Sequence, residues 1–201
     1  MIMEAAMGGE LFHYLKKVER MTEKIARHIT LQVVQAMLYC HSRGVVHRDL
    51  KLENVLFRNQ NFEEDFLVKV VDFGIAGVAN EKVDAGTLSY MAPECLGKSM
   101  AETTPAIDVW AIGIMFFAMT FGYLPFSHES EKELVRMIRC DAVKFPKHIP
   151  ITPEGNQVRE SMLQMDPAKR LQLIDFVQTP YALYEDEEFD EKLQETEKHF
   201  E

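Results

Sequence analysis

The chain has 201 residues, of which 47% are hydrophobic and 27% charged, with a formal net charge of −10, a size that fits one domain or one large lobe with a tail. Nothing basic is concentrated enough to neutralise phosphates, so nucleic-acid binding is excluded and basic partners such as Arg- or Lys-rich peptides are favoured. No apolar run reaches the length of a membrane span, no secretory signal opens the chain, and Cys40, Cys95 and Cys140 lack disulfide or zinc spacing, which together favour the cytoplasm, with the nucleus as an alternative.

In chain order, Met1-Ile2-Met3 is apolar, and Glu4 to Gly9 lead into Glu10-Leu11-Phe12-His13-Tyr14-Leu15-Lys16-Lys17. Helical spacing of the apolar residues and a basic last turn predict a short helix there. Thr22 to Ser42 reads as the longest clear helix, with Ile25, Ile29, Val33, Ala36 and Met37 recurring near the helical period and Gly44 just past its end. Strand patterns at 55–58 and 67–71 flank Phe62 to Phe66, read as a solvated hairpin tip whose adjacent acids, Glu63-Glu64-Asp65, are solvent-facing rather than a metal cluster. Ala76 to Ser89 is polar and unpatterned, as a mobile loop would be.

Asp108 to Met119 is apolar on all sides, the mark of a buried helix. Gly122 to Phe126 turns the chain, and Glu129 to Cys140 predicts an amphipathic surface helix. Gly155, Asn156 and Arg159 interrupt the apolar pattern before Met162-Leu163 and are expected to loosen the packing there. Asp166-Pro167-Ala168-Lys169-Arg170 is expected to start a helix to about Gln178, with Pro180 as its stop. Residues 183–201 turn sharply acidic and read as a solvated tail. There are no internal repeats.

The chemistry concentrates in His47-Arg48-Asp49-Leu50-Lys51-Leu52-Glu53-Asn54, followed by the short apolar strand Val55-Leu56-Phe57. A second strand pattern, Leu67 to Val71, ends on Asp72-Phe73-Gly74. Two strand ends presenting Asp49 and Asn54 on one side and Asp72 on the other form a pattern suited to a metal–phosphate group. These residues match every fixed position of the catalytic signature H-R-D-x-x-x-x-N with a later D-F-G. On them the chain resembles a eukaryotic-type Ser/Thr protein kinase, nearest to the calcium/calmodulin-dependent and AMP-activated group, with Gly8-Gly9-Glu10-Leu11-Phe12 and Leu52-Glu53-Asn54 carrying the finer likeness.

That resemblance implies a mainly α, protein-kinase-like fold: a large helical C-terminal lobe with short β-hairpins over 1–182, and an acidic tail over 183–201. It implies transfer of the terminal phosphate of ATP to Ser and Thr hydroxyls of proteins. Asp49 would orient the substrate hydroxyl and Lys51 would offset charge developing on the transferred group. Asn54 and Asp72 would supply the oxygen ligands that Mg²⁺ prefers. By the same resemblance Met3 is the gatekeeper, Glu4 to Ala6 offer backbone groups to adenine, Glu10 lies near the ribose, and Leu56 joins the nucleotide site. His47 and Phe73 would belong to an internal spine, Asp108 would hold the catalytic loop from below, and Glu94 would pair with Arg170. Lys51 and Thr87 point to Ser/Thr rather than Tyr acceptors. Glu10 and Glu53 would read Arg on the N-terminal side of the target, although Ala118 stands where basic-directed relatives carry a further Glu.

Arg48 beside Asp49 resembles kinases whose activation loop is ordered by a phosphate. The usual acceptor position is Val83, followed by Asp84, so switching is expected not to depend on phosphorylation there, with Asp84 or Glu81 supplying standing negative charge. No Gly-rich phosphate loop, strand Lys or pairing helix Glu occurs in the chain, and no Walker motif, which excludes a P-loop enzyme. The small lobe is therefore expected to be missing, in a fragment or a naturally truncated chain. The alternative function is a catalytically inactive kinase-like interaction or regulatory module.

Overall fold

The computed structural model describes residues 4–64, 66–79, 86–96, 103–185 and 187. Helix α1 (Leu11–Val18) buries Leu11 and Leu15, one turn apart, and carries Lys16 and Lys17 at its negative end. Helix α2 (Glu23–His41) begins where the Thr22 hydroxyl accepts a hydrogen bond from Ile25 N at 3.4 Å. Ala26, Ile29, Val33, Val34 and Met37 are its buried apolar residues. Both helices match their sequence expectations.

Two antiparallel strand pairs follow. β1 (Val45–Val46) pairs with β4 (Gly77–Val78), and β2 (Val55–Phe57) pairs with β3 (Val68–Val70) in the register Leu56 opposite Lys69. The β2–β3 pair follows from the apolar runs. The β1–β4 pair gives order to part of the segment expected to be a mobile loop; a two-residue strand leaves no periodicity to read.

The tip joining β2 to β3 differs from the solvated turn expected. Phe62 stacks on Phe57 with ring centroids 4.1 Å apart, and Phe62 and Phe66 both lie against Tyr14. Gln32 of α2 clamps the same turn, accepting from Val68 N and donating to Phe66 O, each at 3.0 Å. Glu63 remains exposed, so the apolar ends of the tip are half-buried against the core and its described acid is solvated.

Helix α3 (Ala106–Phe121) is buried from Asp108 onward and packs on α2, forming the centre of the main apolar core. It stops at Gly122, whose φ of 85° is left-handed and whose N–H returns to Ala118 O at 2.8 Å. A Cβ there would collide with Glu19 O. Helix α4 (Glu131–Cys140) lies on the surface and buries Leu134 and Ile138.

Helix α5 (Pro153–Met162) is not loosened by its polar residues. The Thr152 hydroxyl caps it by accepting from Gly155 N at 3.1 Å, and Gly155 lets α2 approach so closely that a Cβ would strike Glu23. Arg159 is fully buried, its guanidinium 4.5 Å and 4.6 Å from the ring centroids of Phe121 and Phe145. The long helix expected from Asp166 does not form. Asp166 closes a tight turn, its Oδ1 accepting from Ala168 N and its carbonyl from Lys169 N, both at 3.0 Å. The chain then extends through Gln172, and only a short helix α6 (Leu173–Phe176) follows. Pro180, expected as a stop, instead opens helix α7 (Pro180–Leu183), where its missing N–H costs nothing. Most of the expected acidic tail, 188–201, lies outside the described residues.

Candidate active site

The site is built on the segment between β1 and β2 and braced from beneath by α3. Asp108, in the first turn of α3 and 1% exposed, accepts from His47 N at 2.9 Å and Arg48 N at 3.0 Å. His41 Nε2, at the end of α2, donates to the same carboxylate at 2.8 Å. Three donors on one buried carboxylate fix the backbone immediately before Asp49. Arg48 has φ 73°, a left-handed conformation that its surroundings must hold in place.

His47 is buried and bridges two parts of the site. Its Nδ1 accepts from Asp49 N at 3.3 Å, so the ring hydrogen sits on Nε2 and is donated to Val71 O at 3.0 Å. Its ring lies 4.6 Å from that of Phe73, which is itself 43% exposed. The segment entering Asp72 is thereby tied to the segment carrying Asp49. A second tie runs from Val71 N to Asn54 O at 2.9 Å, which sets Asp72 beside Asn54 along the backbone.

Around Asp49 every polar atom is engaged. Oδ2 accepts from Lys51 Nζ at 2.7 Å and from Asn54 Nδ2 at 3.3 Å. Oδ1 accepts from the Thr87 amide at 3.0 Å and the Thr87 hydroxyl at 2.8 Å. Lys51 Nζ also donates to Thr87 Oγ1 at 2.9 Å, closing a three-membered polar ring. Burial by itself would raise the Asp49 carboxyl. Hydrogen bonds from Lys51 and Thr87, with the Lys51 charge, outweigh that and hold it below the ordinary carboxylate range.

Asn54 is 6% exposed, and its Nδ2 also donates to Asp49 O at 2.9 Å, which leaves the amide oxygen as the atom not used in these bonds. Asp72 is exposed, has φ 61°, and accepts from Gly74 N on Oδ1 at 3.2 Å. Among the described residues no three His, Cys, Asp or Glu side chains form a metal cluster. One amide oxygen and one exposed carboxylate nevertheless fit Mg²⁺, a hard ion that keeps waters and phosphate oxygens as its remaining ligands.

The residues expected at the nucleotide lie along one ribbon. Glu10 forms an antiparallel bridge with Leu56, while Gly8 N donates to Phe57 O at 3.1 Å and Phe57 N to Gly9 O at 2.9 Å. Lys69, opposite Leu56, pairs with Glu4, and that bond holds the exposed Glu4 carboxyl below its usual value. Lys69 was not among the expected residues. Its place between Val68 and Val70 in an alternating strand is the signal that turns it away from them. Ala6 is described and half-buried, and Met3 lies outside the described residues.

Farther out, Arg170 grips Glu94 through two bonds of 2.7 Å and 3.0 Å and also donates to Ala106 O and twice to Gln164 O. This fork anchors the segment after Thr87 to the start of α3.

A half-buried aspartate paired with a lysine thus sits with an amide oxygen and a carboxylate on adjoining strand ends, over a helical body. The protein kinase domain model matches residues 1–182, and the chain belongs to the protein kinase family. It is 35% identical over 183 residues to CBL-interacting protein kinase 29 of Oryza sativa subsp. japonica, covering 90% of this chain and 40% of the relative. It is 35% identical over 175 residues to the RAC-beta serine/threonine-protein kinase of Homo sapiens, covering 85% and 34%. The calcium/calmodulin-dependent protein kinase type II of Caenorhabditis briggsae is 34% identical over 187 residues, covering 90% and 34%. The chain thus spans between a third and two-fifths of the length of these relatives. No helix among the described residues is long and apolar enough to cross a membrane.

Proposed function

We propose that the chain forms the catalytic lobe of a protein kinase that transfers the terminal phosphate of ATP to Ser and Thr hydroxyls of proteins. The observation that carries this reading is the Asp49 carboxylate, ionised by its contacts with Lys51 and Thr87. A carboxylate held that way orients a hydroxyl and receives its proton late, rather than storing one beforehand. Lys51, beside it, offsets negative charge on the group in transfer. Asn54 and Asp72 would hold Mg²⁺, and Glu4, Ala6, Glu10 and Leu56, with Met3, would line the nucleotide. ATP, when bound, supplies the phosphoryl group; the chain supplies position and charge.

Substrates with basic residues near the target follow from the same surface. What supports this is the net charge of −10, which favours basic partners; Glu53 and Glu10 would read them. Ordering of the segment after Asp72 does not require a phosphate at Val83, a position outside the described residues. What supports this is Arg48, whose Nη2 donates to Val78 O of β4 at 3.0 Å. The three cysteines are free, in keeping with a cytoplasmic or nuclear setting.

The test is a phosphate-transfer assay with Mg-ATP on matched peptides differing only in Ser, Thr or Tyr. Transfer to Ser and Thr but not Tyr is the expected result. Peptide or nucleotide binding without transfer would select the alternative, a catalytically inactive kinase-like interaction or regulatory module.

A further inference from the structure

Helix α7 is a single turn, anchored at one end and lightly held at the other. Tyr181 is the anchor, fully buried against Phe116 of α3 with ring centroids 5.9 Å apart. Beyond it, Leu183 is 66% exposed and Glu185 is exposed. Between these two, Tyr184 is half-buried, and its hydroxyl donates to Glu154 Oε1 of α5 at 3.0 Å. Arg27 of α2 holds the backbone, its Nη2 donating to Tyr184 O at 2.6 Å and to Ala182 O at 3.3 Å. The amides of Leu183 and Tyr184 return to Thr179 O at 3.1 Å and Pro180 O at 3.0 Å.

The sequence around Tyr184 sets it apart. Leu183-Tyr184-Glu185-Asp186-Glu187-Glu188 places four consecutive acids directly after a phenol, whereas Tyr14, Tyr39, Tyr90, Tyr123 and Tyr181 have no acid as an immediate neighbour. Such a run complements a modifying enzyme with a basic peptide cleft. Glu154 supplies the consequence. A tyrosine phosphate carries roughly −1.5 to −2 charge at pH 7, and its bridging oxygen has no hydrogen left to donate. The bond to Glu154 becomes a contact between like charges, while the Arg27 guanidinium is engaged with carbonyls.

We propose that Tyr184 is a phosphorylation site for an acid-directed tyrosine kinase, and that its phosphate releases the end of α7 from α5. In that step the terminal phosphoryl group of ATP passes to Tyr184 Oη: the new P–O bond forms as the bond to ADP breaks, and the phenol proton goes to the modifying enzyme's base. Arg27 stands near the start of α2, whereas the Asp49 cluster is braced at its far end. With 19 residues α2 is about 28 Å long, so the release leaves that cluster untouched. The proposal holds whether or not the chain itself transfers phosphate.

The experiment incubates the full chain with Mg-ATP and a purified acid-directed tyrosine kinase, and locates phosphate by mass spectrometry over time. Exposure alone ranks Tyr39 and Tyr123 first, at 61% and 52%. Tyr184 should instead be filled about tenfold faster than either, by charge complementarity, and Tyr184→Phe should abolish this fast phase. In the modified protein, hydrogen exchange at the Leu183 and Tyr184 amides should speed up about tenfold, the scale of losing one charged hydrogen bond, while amides within α2 keep their rates. Glu154→Gln keeps an acceptor but removes the charge, so phosphorylation of that variant should accelerate exchange less. Phosphate entering Tyr39 or Tyr123 first, exchange that does not change on modification, or an equal acceleration in Glu154→Gln would each overturn the proposal.

Discussion

The two ends of helix α2 carry buried ionic clusters that behave in opposite ways. At its C-terminal end His41 joins His47 and Arg48 on Asp108, and the brace continues to the Asp49 ring. At its N-terminal end Glu23 accepts from Thr152 N at 2.9 Å and Thr152 Oγ1 at 2.8 Å, beside Arg159 and Tyr181. Near the site, contacts win over burial and the Asp49 carboxyl stays low. At the other end burial wins. It raises Glu23 and lowers Arg159 to about 10, and Tyr181 is pushed well above its usual value. Arg159 Nε and Nη1 are buried with no hydrogen-bond partner among the described residues. The lesson is that a half-buried carboxylate met by a lysine and a hydroxyl keeps its charge, whereas a more deeply sealed knot disfavours the charges it contains and serves packing.

The sharpest way to break this contrast is Asp108→Ala, which leaves three donors around a buried void. It should cost about 3–5 kcal/mol in urea unfolding, the range for breaking a buried charge cluster. A loss near that of a surface mutation would mean Asp108 is no brace.

The two carboxylates should also pull stability in opposite directions with pH. Asp49, held low, contributes stability that is present above the ordinary aspartate range and fades as pH falls through its lowered value. Glu23, held high, contributes stability that is present below the ordinary glutamate range and is lost as pH rises through its raised value. Glu23→Gln should thus trail the wild type by less as pH rises through the acid range, in unfolding curves taken at a series of pH values. A difference that grows with pH would reverse the assignment of burial as the dominant cause at Glu23.

The smallest effect is expected at the entry to the sealed end. Thr22 caps α2 through a long 3.4 Å bond, so Thr22→Ala should cost about 0.5 kcal/mol, at the low end for caps, and leave phosphate transfer unchanged.

Legibility in the sequence divided along the same line. The amphipathic helices α1 and α2, the uniformly apolar α3 and the β2–β3 pair stand where the residue pattern puts them. Asp49, Lys51 and Asn54 are brought together as neighbours in a short loop must be, and the bonds to Asp108 and between Glu94 and Arg170 form across the fold. The knot at Glu23 was invisible because its members, Thr152, Arg159 and Tyr181, sit far apart in sequence and each looks like an ordinary surface residue. Arg159 in particular reads as a defect in an apolar helix until the rings of Phe121 and Phe145 are seen around it. The turn at Asp166, where the residue pattern suggests a helix start, has a related cause. The inward pull on Arg170 comes from Glu94, a tertiary partner that local propensity does not register.

The central claim, that the Asp49 cluster transfers phosphate, is tested most directly by Asp49→Asn. The substitution keeps the shape of the side chain and removes its charge. With Mg-ATP and a serine peptide, transfer should fall roughly a hundredfold to ten-thousandfold, the span of a lost general base, while peptide binding changes little. Transfer at the wild-type rate by Asp49→Asn, in a protein that binds the peptide equally well, would contradict the account.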